Sequence, residues 1–268
     1  MAAPPRLKSL PVRHLCLLLC TLLLPLFARA DLADTIERVK PAVVIVGLFS
    51  ATNSPQFALR GTGFVVGDGN QVATNAHVLP GENDVKTGNT NMIAPSLVVQ
   101  VRGANGEWQM RQARLIAADK PHDLALLRFD GPPVARLALR DAPVREGQAV
   151  AFMGFPIGGA LGFSPVTHRG MVSSITPIVL PSPTARQLDA KVIRRTKEGN
   201  FNIYQLDATA YPGNSGGPLF DPENGEVLGI INMVFVKGSK ESVLSQPSGI
   251  SYAIPIRYLE ELLGTPRR

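Results

Sequence analysis

The chain has 268 residues, 45% of them hydrophobic, with 27 basic and 21 acidic side chains and a formal charge of +6. Much of that excess sits in a leader: Arg6, Lys8, Arg13 and Arg29 lie within the first 30 residues, which carry no acid, so residues 31–268 hold 23 basic and 21 acidic side chains. Near balance gives no ground for a nucleic-acid partner, and with both cysteines, Cys16 and Cys20, inside the leader, residues 31–268 can form no disulfide.

The leader reads as an export signal. A basic start precedes an apolar run of 13 residues, Leu15 to Phe27, and Ala28-Arg29-Ala30 supplies the small-x-small pattern of a cleavage site. The run is shorter than the ~20 residues a membrane span needs. Cleavage after Ala30 is expected, so no span should remain and the chain should be exported, with the periplasm as the expected compartment and extracellular secretion as the alternative. An uncleaved anchor competes with this. A lipoprotein reading through Cys20 suffers from the bulky Leu19 beside it.

Beyond the leader, Asp34-Thr35-Ile36-Glu37 predicts a short helix capped by Asp34 that stops before Pro41. Short β-rich runs follow, broken by Gly, Pro, Asn and Asp: Val43 to Phe49, Gly63 to Val66, Gln71 to Thr74, Leu97 to Val101, Leu124 to Phe129, Ala149 to Met153, Gly170 to Ile175, Asn202 to Leu206 and Val227 to Phe235. Such spacing predicts an all-β sandwich or barrel protein, and without long amphipathic helices between the runs a βαβ sheet is disfavoured. Pro181 to Gly199, with its five basic residues, is expected to be a mobile, solvated loop. Pro255 should open a second helix, Ile256 to Leu263, ended by Gly264.

The chemistry centres on Gly213-Asn214-Ser215-Gly216-Gly217-Pro218. Glycines there let the backbone turn amide N–H groups toward one point, a site for an oxyanion for which Gly213 and Ser215 are the candidates. Read alone, the segment is equally an ordinary tight turn. Gly213-x-Ser215-x-Gly217 also fits the nucleophile elbow of α/β-hydrolases, but that fold needs its histidine after the serine, and His14, His77, His122 and His168 all precede Ser215. His14 leaves with the leader, and His168 stands in a polar stretch before a strand. His77 follows a short apolar strand, where loops carry function. Asp123, at the mouth of an apolar strand, suits the carboxylate that holds an imidazole tautomer; Asp119 and Asp130 are its rivals.

Taken together, Gly61-Thr62-Gly63-Phe64, Thr74-Asn75-Ala76-His77-Val78, Asp123-Leu124-Ala125-Leu126-Leu127 and Gly213-Asn214-Ser215-Gly216-Gly217-Pro218-Leu219 resemble the trypsin-like superfamily, most closely its HtrA/Deg-like branch. The resemblance covers residues 34 to about 262, with separations of 46 residues from His77 to Asp123 and 92 from Asp123 to Ser215. It implies an all-β fold of two antiparallel six-stranded β-barrels with short terminal helices, one protease domain over 31–268 after the 1–30 signal, and a barrel boundary near 135–148. It implies a serine endopeptidase with the triad His77, Asp123 and Ser215, acting on unfolded or extended polypeptides in envelope quality control or processing. A two-barrel protein that binds extended chains without cutting them is the alternative.

Other implications concern control and specificity. The chain ends soon after the last helix, so the PDZ domain usual in this branch is expected to be absent. Asn214 stands where digestive enzymes carry an acid that pairs with a new N-terminus, so activation of that kind is not expected. Thr209 falls near the base of the specificity pocket, and Ile231, Asn232 and Met233 on the strand that pairs with substrate. None is acidic, which implies a preference for small or medium apolar residues on the acyl side. Relatives are often trimers, so a homotrimer is a candidate assembly, with Leu48, Phe49 and Phe57 as contact or core residues. No metal-ligand spacing appears, and Gly154 to Gly159 lacks the ending of a phosphate loop and reads as a connection in the second barrel, so no cofactor is expected.

Overall fold

The computed structural model describes residues 31–81, 95–103, 105–159, 162–178, 201–232 and 249–264. The signal segment, the Pro181–Gly199 stretch and Met233 lie outside them. The described chain builds two closed antiparallel barrels of six strands each, as the resemblance implies. In the first, β1 (Val43–Phe49), β2 (Phe57–Val66), β3 (Gln71–Asn75), β4 (Ser96–Arg102), β5 (Trp108–Asp119) and β6 (Leu124–Phe129) lie in the order β1-β2-β3-β6-β5-β4. In the second, β7 (Ala149–Gly154), β8 (Val166–Pro177), β9 (Asn202–Asp207), β10 (Pro218–Phe220), β11 (Val227–Asn232) and β12 (Ile250–Pro255) repeat that order as β7-β8-β9-β12-β11-β10. Bulges at Val46/Gly47, Leu115/Ala117 and Val172/Ser174 supply the local bend that closure requires.

The β-branched runs become strands because both faces are covered. β11 is buried along its whole length, and β1 along all but Phe49. A second apolar cluster, around Val150, Phe152, Leu206, Leu219 and Ile231, fills the second barrel. β5 escapes the sequence pattern because only Ala113 among its twelve residues is buried, so its alternation is blurred. Strand β8 begins at Val166, earlier than its apolar half suggests, so His168 stands within the strand rather than ahead of it.

Both helices differ from expectation at their starts. α1 spans Leu32–Val39 and is capped by Asp31, whose carboxylate accepts from the Ala33 N–H at 3.3 Å, not by Asp34. Asp34 sits in the first turn, where its charge meets the positive helix end. Pro41 falls in a 3₁₀ turn, Lys40–Ala42. α2 spans Arg257–Leu262; Pro255 is the last residue of β12 rather than the helix opening, and Gly264, at φ 71°, follows the cap at Leu263. The helices strap the barrels crosswise. Thr35 of α1 donates to the Glu223 carbonyl beside β10, while Tyr258 of α2 stacks on His122 of the β5–β6 turn. Among the described residues no helix is long and apolar enough to cross a membrane.

Candidate active site

Strand register brings His77 to Asp123. β3 pairs with β6 so that Asn75 faces Leu124. The residue just before Leu124 therefore lies beside the turn that follows Asn75, a 3₁₀ turn over Ala76–Val78 that presents His77. One Asp123 oxygen accepts from the His77 backbone N–H at 2.9 Å, and the other lies 2.6 Å from His77 Nδ1. An ionised carboxylate only accepts, so the Nδ1 proton is fixed toward Asp123 and Nε2 of the neutral ring is left as a base. The two side chains are 31% and 17% exposed.

Asp123 itself is left-handed, with φ 54°, a conformation that costs an L-residue about 1–2 kcal/mol. Three hydrogen bonds to its backbone groups, two with the main chain and one with a side chain, hold it there. Its N–H donates to the Lys120 carbonyl at 3.1 Å, and its carbonyl accepts from Ala76 N–H at 3.0 Å and from Asn75 Nδ2 at 3.1 Å. The turn is braced from outside as well. His122 Nδ1 lies 2.6 Å from Asp119, and its ring stacks on Tyr258 with centroids 4.0 Å apart and edges against Phe201. Asp119 is thus committed to His122, and Asp130 pairs with Arg114 on the exposed surface. Neither rival reaches His77.

Ser215 lies between β9 and β10, 5% exposed. Its loop is held by consecutive backbone bonds: Ile157 N–H to Pro212 O at 2.7 Å, Asn214 N–H to Tyr211 O at 3.0 Å, and Gly217 N–H to Asn214 O at 3.0 Å. In a trans peptide N–H and C=O point opposite ways, so each of the Gly213 and Ser215 amides points away from the bond that holds its own peptide's carbonyl, Pro212 O or Asn214 O. Gly213 and Gly216 sit at φ 103° and 86°, open only to glycine. Gly216 further allows its N–H to reach Ile231 O at 2.9 Å.

Asn214 is fully buried. Its Nδ2 lies 3.5 Å from His168 Nε2, while its Oδ1 has no hydrogen-bond partner and packs on Gly154, where an added Cβ would come within 2.7 Å. His168 stacks on Phe152 at 4.7 Å, and burial pushes its pKa below the ordinary imidazole value.

The residues expected on the substrate strand separate. Ile231 is buried in the second-barrel core and bonds Gly217 O through its N–H. Asn232 turns toward the first barrel and donates from Nδ2 to Asp123 Oδ2 at 2.7 Å. That bond makes it a partner of the carboxylate, a contact no sequence signal announces across 109 residues. Thr209 is half-buried in the loop after β9. Asn75 falls inside a motif the sequence singles out, but its bond to Asp123 is legible only in three dimensions.

Residues 61–230, which include His77, Asp123 and Ser215, match the trypsin-like peptidase domain family. The mitochondrial serine protease HTRA2 of Bos taurus is 30% identical over 239 residues, covering 87% of this chain and 42% of that protein. A DegP-like periplasmic serine endoprotease of Pseudomonas putida is 29% identical over 197 residues, covering 73% of this chain and 32% of that protein. The chain spans less than half the length of these relatives. A serine endoprotease of Yersinia pestis shares the fold, with a TM-score of 0.58 at 23% identity, covering 88% of this chain and 66% of that one. The chain therefore belongs to the trypsin-like peptidase family, and the relatives it resembles within that family are of the HtrA type.

Proposed function

We propose that this chain is a serine endopeptidase with His77, Asp123 and Ser215 as its triad and the Gly213 and Ser215 amides as its oxyanion donors. The observation that carries the reading is the His77 ring held by the Asp123 carboxylate at 2.6 Å, beside a serine loop with left-handed glycines at 213 and 216. Ser215 Oγ attacks the peptide carbonyl carbon while His77 Nε2 takes its proton. The electron pair of the C=O bond moves to the oxygen, which the two amides receive. Collapse breaks the C–N bond, and His77 returns the proton to the leaving amine. Water then enters by the same steps, releasing the carboxylate product and Ser215. Asp123 stays ionised throughout and stabilises the imidazolium.

Substrates are unfolded or extended polypeptides, since a cleavable bond must lie extended across the serine. With no acid at Thr209, Ile231, Asn232 or Met233, a preference for small or medium apolar residues on the acyl side is the expected specificity. Export to the periplasm fits the leader and the periplasmic DegP-like relative, and a homotrimer is the assembly expected from the resemblance.

The test is Ser215→Ala beside the parent, with casein cleavage mapped by mass spectrometry and labelling by a fluorophosphonate. The parent should cleave and label, and the variant should keep its circular dichroism and do neither. Cleavage that survives the substitution refutes the assignment. Cuts dominated by Lys, Arg or Glu refute the specificity reading alone.

A further inference from the structure

The Gly61-Thr62-Gly63-Phe64 motif has no part in the chemistry above, yet Thr62 is fully buried and touches the nucleophile loop twice. Its backbone N–H donates to the Ser215 carbonyl at 2.9 Å. Its hydroxyl contacts the Gly213 carbonyl at 2.6 Å and the Phe155 N–H at 3.0 Å. Its own carbonyl accepts from the Thr74 hydroxyl at 2.7 Å. The direction of the hydroxyl proton follows from this set. An amide N–H can only donate, so Phe155 uses a lone pair of the oxygen, and the single hydroxyl proton goes to Gly213.

One residue of the first barrel thus holds the carbonyls on both sides of Asn214. The Gly213–Asn214 peptide is tied at both ends, because the Asn214 N–H donates to Tyr211 O at 3.0 Å. A planar peptide held at both ends cannot swing, and the residue before it carries the amide meant for the oxyanion. The same hydroxyl reaches Phe155, two positions before the Ile157 N–H that holds Pro212 O. Strand β2, the serine loop and the turn after β7 meet at this oxygen. Space is reserved for it: a Cβ at Gly154 would come 2.9 Å from Thr62 Oγ1, and one at Gly216 would run into the Thr62 carbonyl.

We propose that Thr62 is a positioning residue for the oxyanion site: its hydroxyl fixes the peptide that follows Gly213 through the Gly213 carbonyl, and through Phe155 it braces the turn whose Ile157 N–H holds the Pro212 carbonyl, so that the Gly213 N–H between them is aimed before substrate arrives. The inference rests on the serine-endopeptidase reading of the same loop. Donors aligned in advance need no reorganisation as the oxyanion forms, which is where their effect on rate arises. Valine at 62 keeps the shape and removes the donor, leaving the Gly213 carbonyl and the Phe155 N–H unpaired away from water.

The experiment compares the full chain with Thr62→Val, Thr62→Ser and Thr62→Ala on a fluorogenic peptide and on a peptide boronate, whose tetrahedral adduct places an oxygen at the oxyanion position. In Thr62→Val, kcat should fall about 10–100-fold, below the ~10²–10³ loss of a whole oxyanion donor, with KM within about twofold. Boronate affinity should fall by the same factor, and affinity for the matching carboxamide should not. Serine and alanine lack the same methyl and differ only in the hydroxyl, so this pair decides the matter even where valine disturbs folding: serine should follow the parent and alanine should follow valine. A folded valine variant with parental kcat, equal losses in serine and alanine, or equal losses of boronate and carboxamide binding would overturn the role. Fluorophosphonate labelling separates the two levels. An unlabelled parent overturns the protease reading and this role with it, whereas a labelled parent with hydroxyl-independent turnover overturns this role alone.

Discussion

Asp123→Asn tests the site most sharply, because Asp123 accepts three side-chain-directed hydrogen bonds and an amide cannot. Oδ1 takes the His77 N–H at 2.9 Å; Oδ2 takes His77 Nδ1 at 2.6 Å and Asn232 Nδ2 at 2.7 Å. An asparagine has two orientations here. With its oxygen in the Oδ2 place, its NH₂ opposes the His77 N–H, donor against donor. With its NH₂ in that place, it opposes the Asn232 amide and forces His77 to accept at Nδ1, so the proton moves to Nε2 and the ring cannot take one from Ser215. Each orientation meets one donor–donor contact, so neither is clearly preferred, and in both the negative charge that stabilises the imidazolium is gone. Loss of the carboxylate in such a triad costs about 10⁴-fold in kcat. Here the first orientation preserves the working tautomer in part of the molecules, so a fall of about 10³–10⁴-fold is expected, about 4–5.5 kcal/mol in the barrier. The assay is kcat and KM on a fluorogenic peptide with circular dichroism and Tm alongside. A folded variant retaining a tenth of the parental kcat would show that the Asp123–His77 contact does not serve catalysis.

Two further outcomes follow from the backbone and from burial. Gly213→Ala places a side chain at φ 103°, which L-residues avoid; relief of that strain must rotate the Gly213 amide, so kcat should drop about 10²–10³-fold with peptide binding retained, and a parental kcat would remove Gly213 from the oxyanion site. His168 has its pKa lowered by burial, so its folded value lies below the unfolded value of about 6.5. Above that pH both states are neutral and the full stability is present. As pH falls through the window, the unfolded chain takes the proton first and stability declines, by at most about 1.4 kcal/mol per pH unit for one proton, levelling off below the folded pKa. Denaturant unfolding from pH 7 downward should show this slope in the parent and a shallower one in His168→Gln; identical slopes would refute it.

Local sequence carries the parts of this protein that depend on neighbours in the chain. Runs such as Val43 to Phe49 and Leu124 to Phe129 are strands because β-branched and aliphatic residues pack in a closed barrel whatever their partner. β5 is illegible because twelve residues with one buried side chain lack a period, and β10 because three residues are too few to show one. The order of the histidines before Ser215, and the glycines around it, narrow the chemistry before any contact is known. The start of α1 is misplaced by about one turn because Asp31 and Asp34 are equally good caps, and the choice falls to the bonds that Asp31 makes to Ala33 and Thr35.

The residue types, their order and the positive-φ demand at Gly213 and Gly216 were determined by the sequence itself, since each is a property of one residue and its nearest neighbours. Which carboxylate serves His77 was decided by the register that sets Asn75 opposite Leu124. The partners of the site came from the docking of one barrel on the other. Asn232 reaches Asp123 across 109 residues and Thr62 reaches Gly213 across 151. Hydrogen bonds of that separation depend on how two closed barrels meet, and no window of sequence contains both ends.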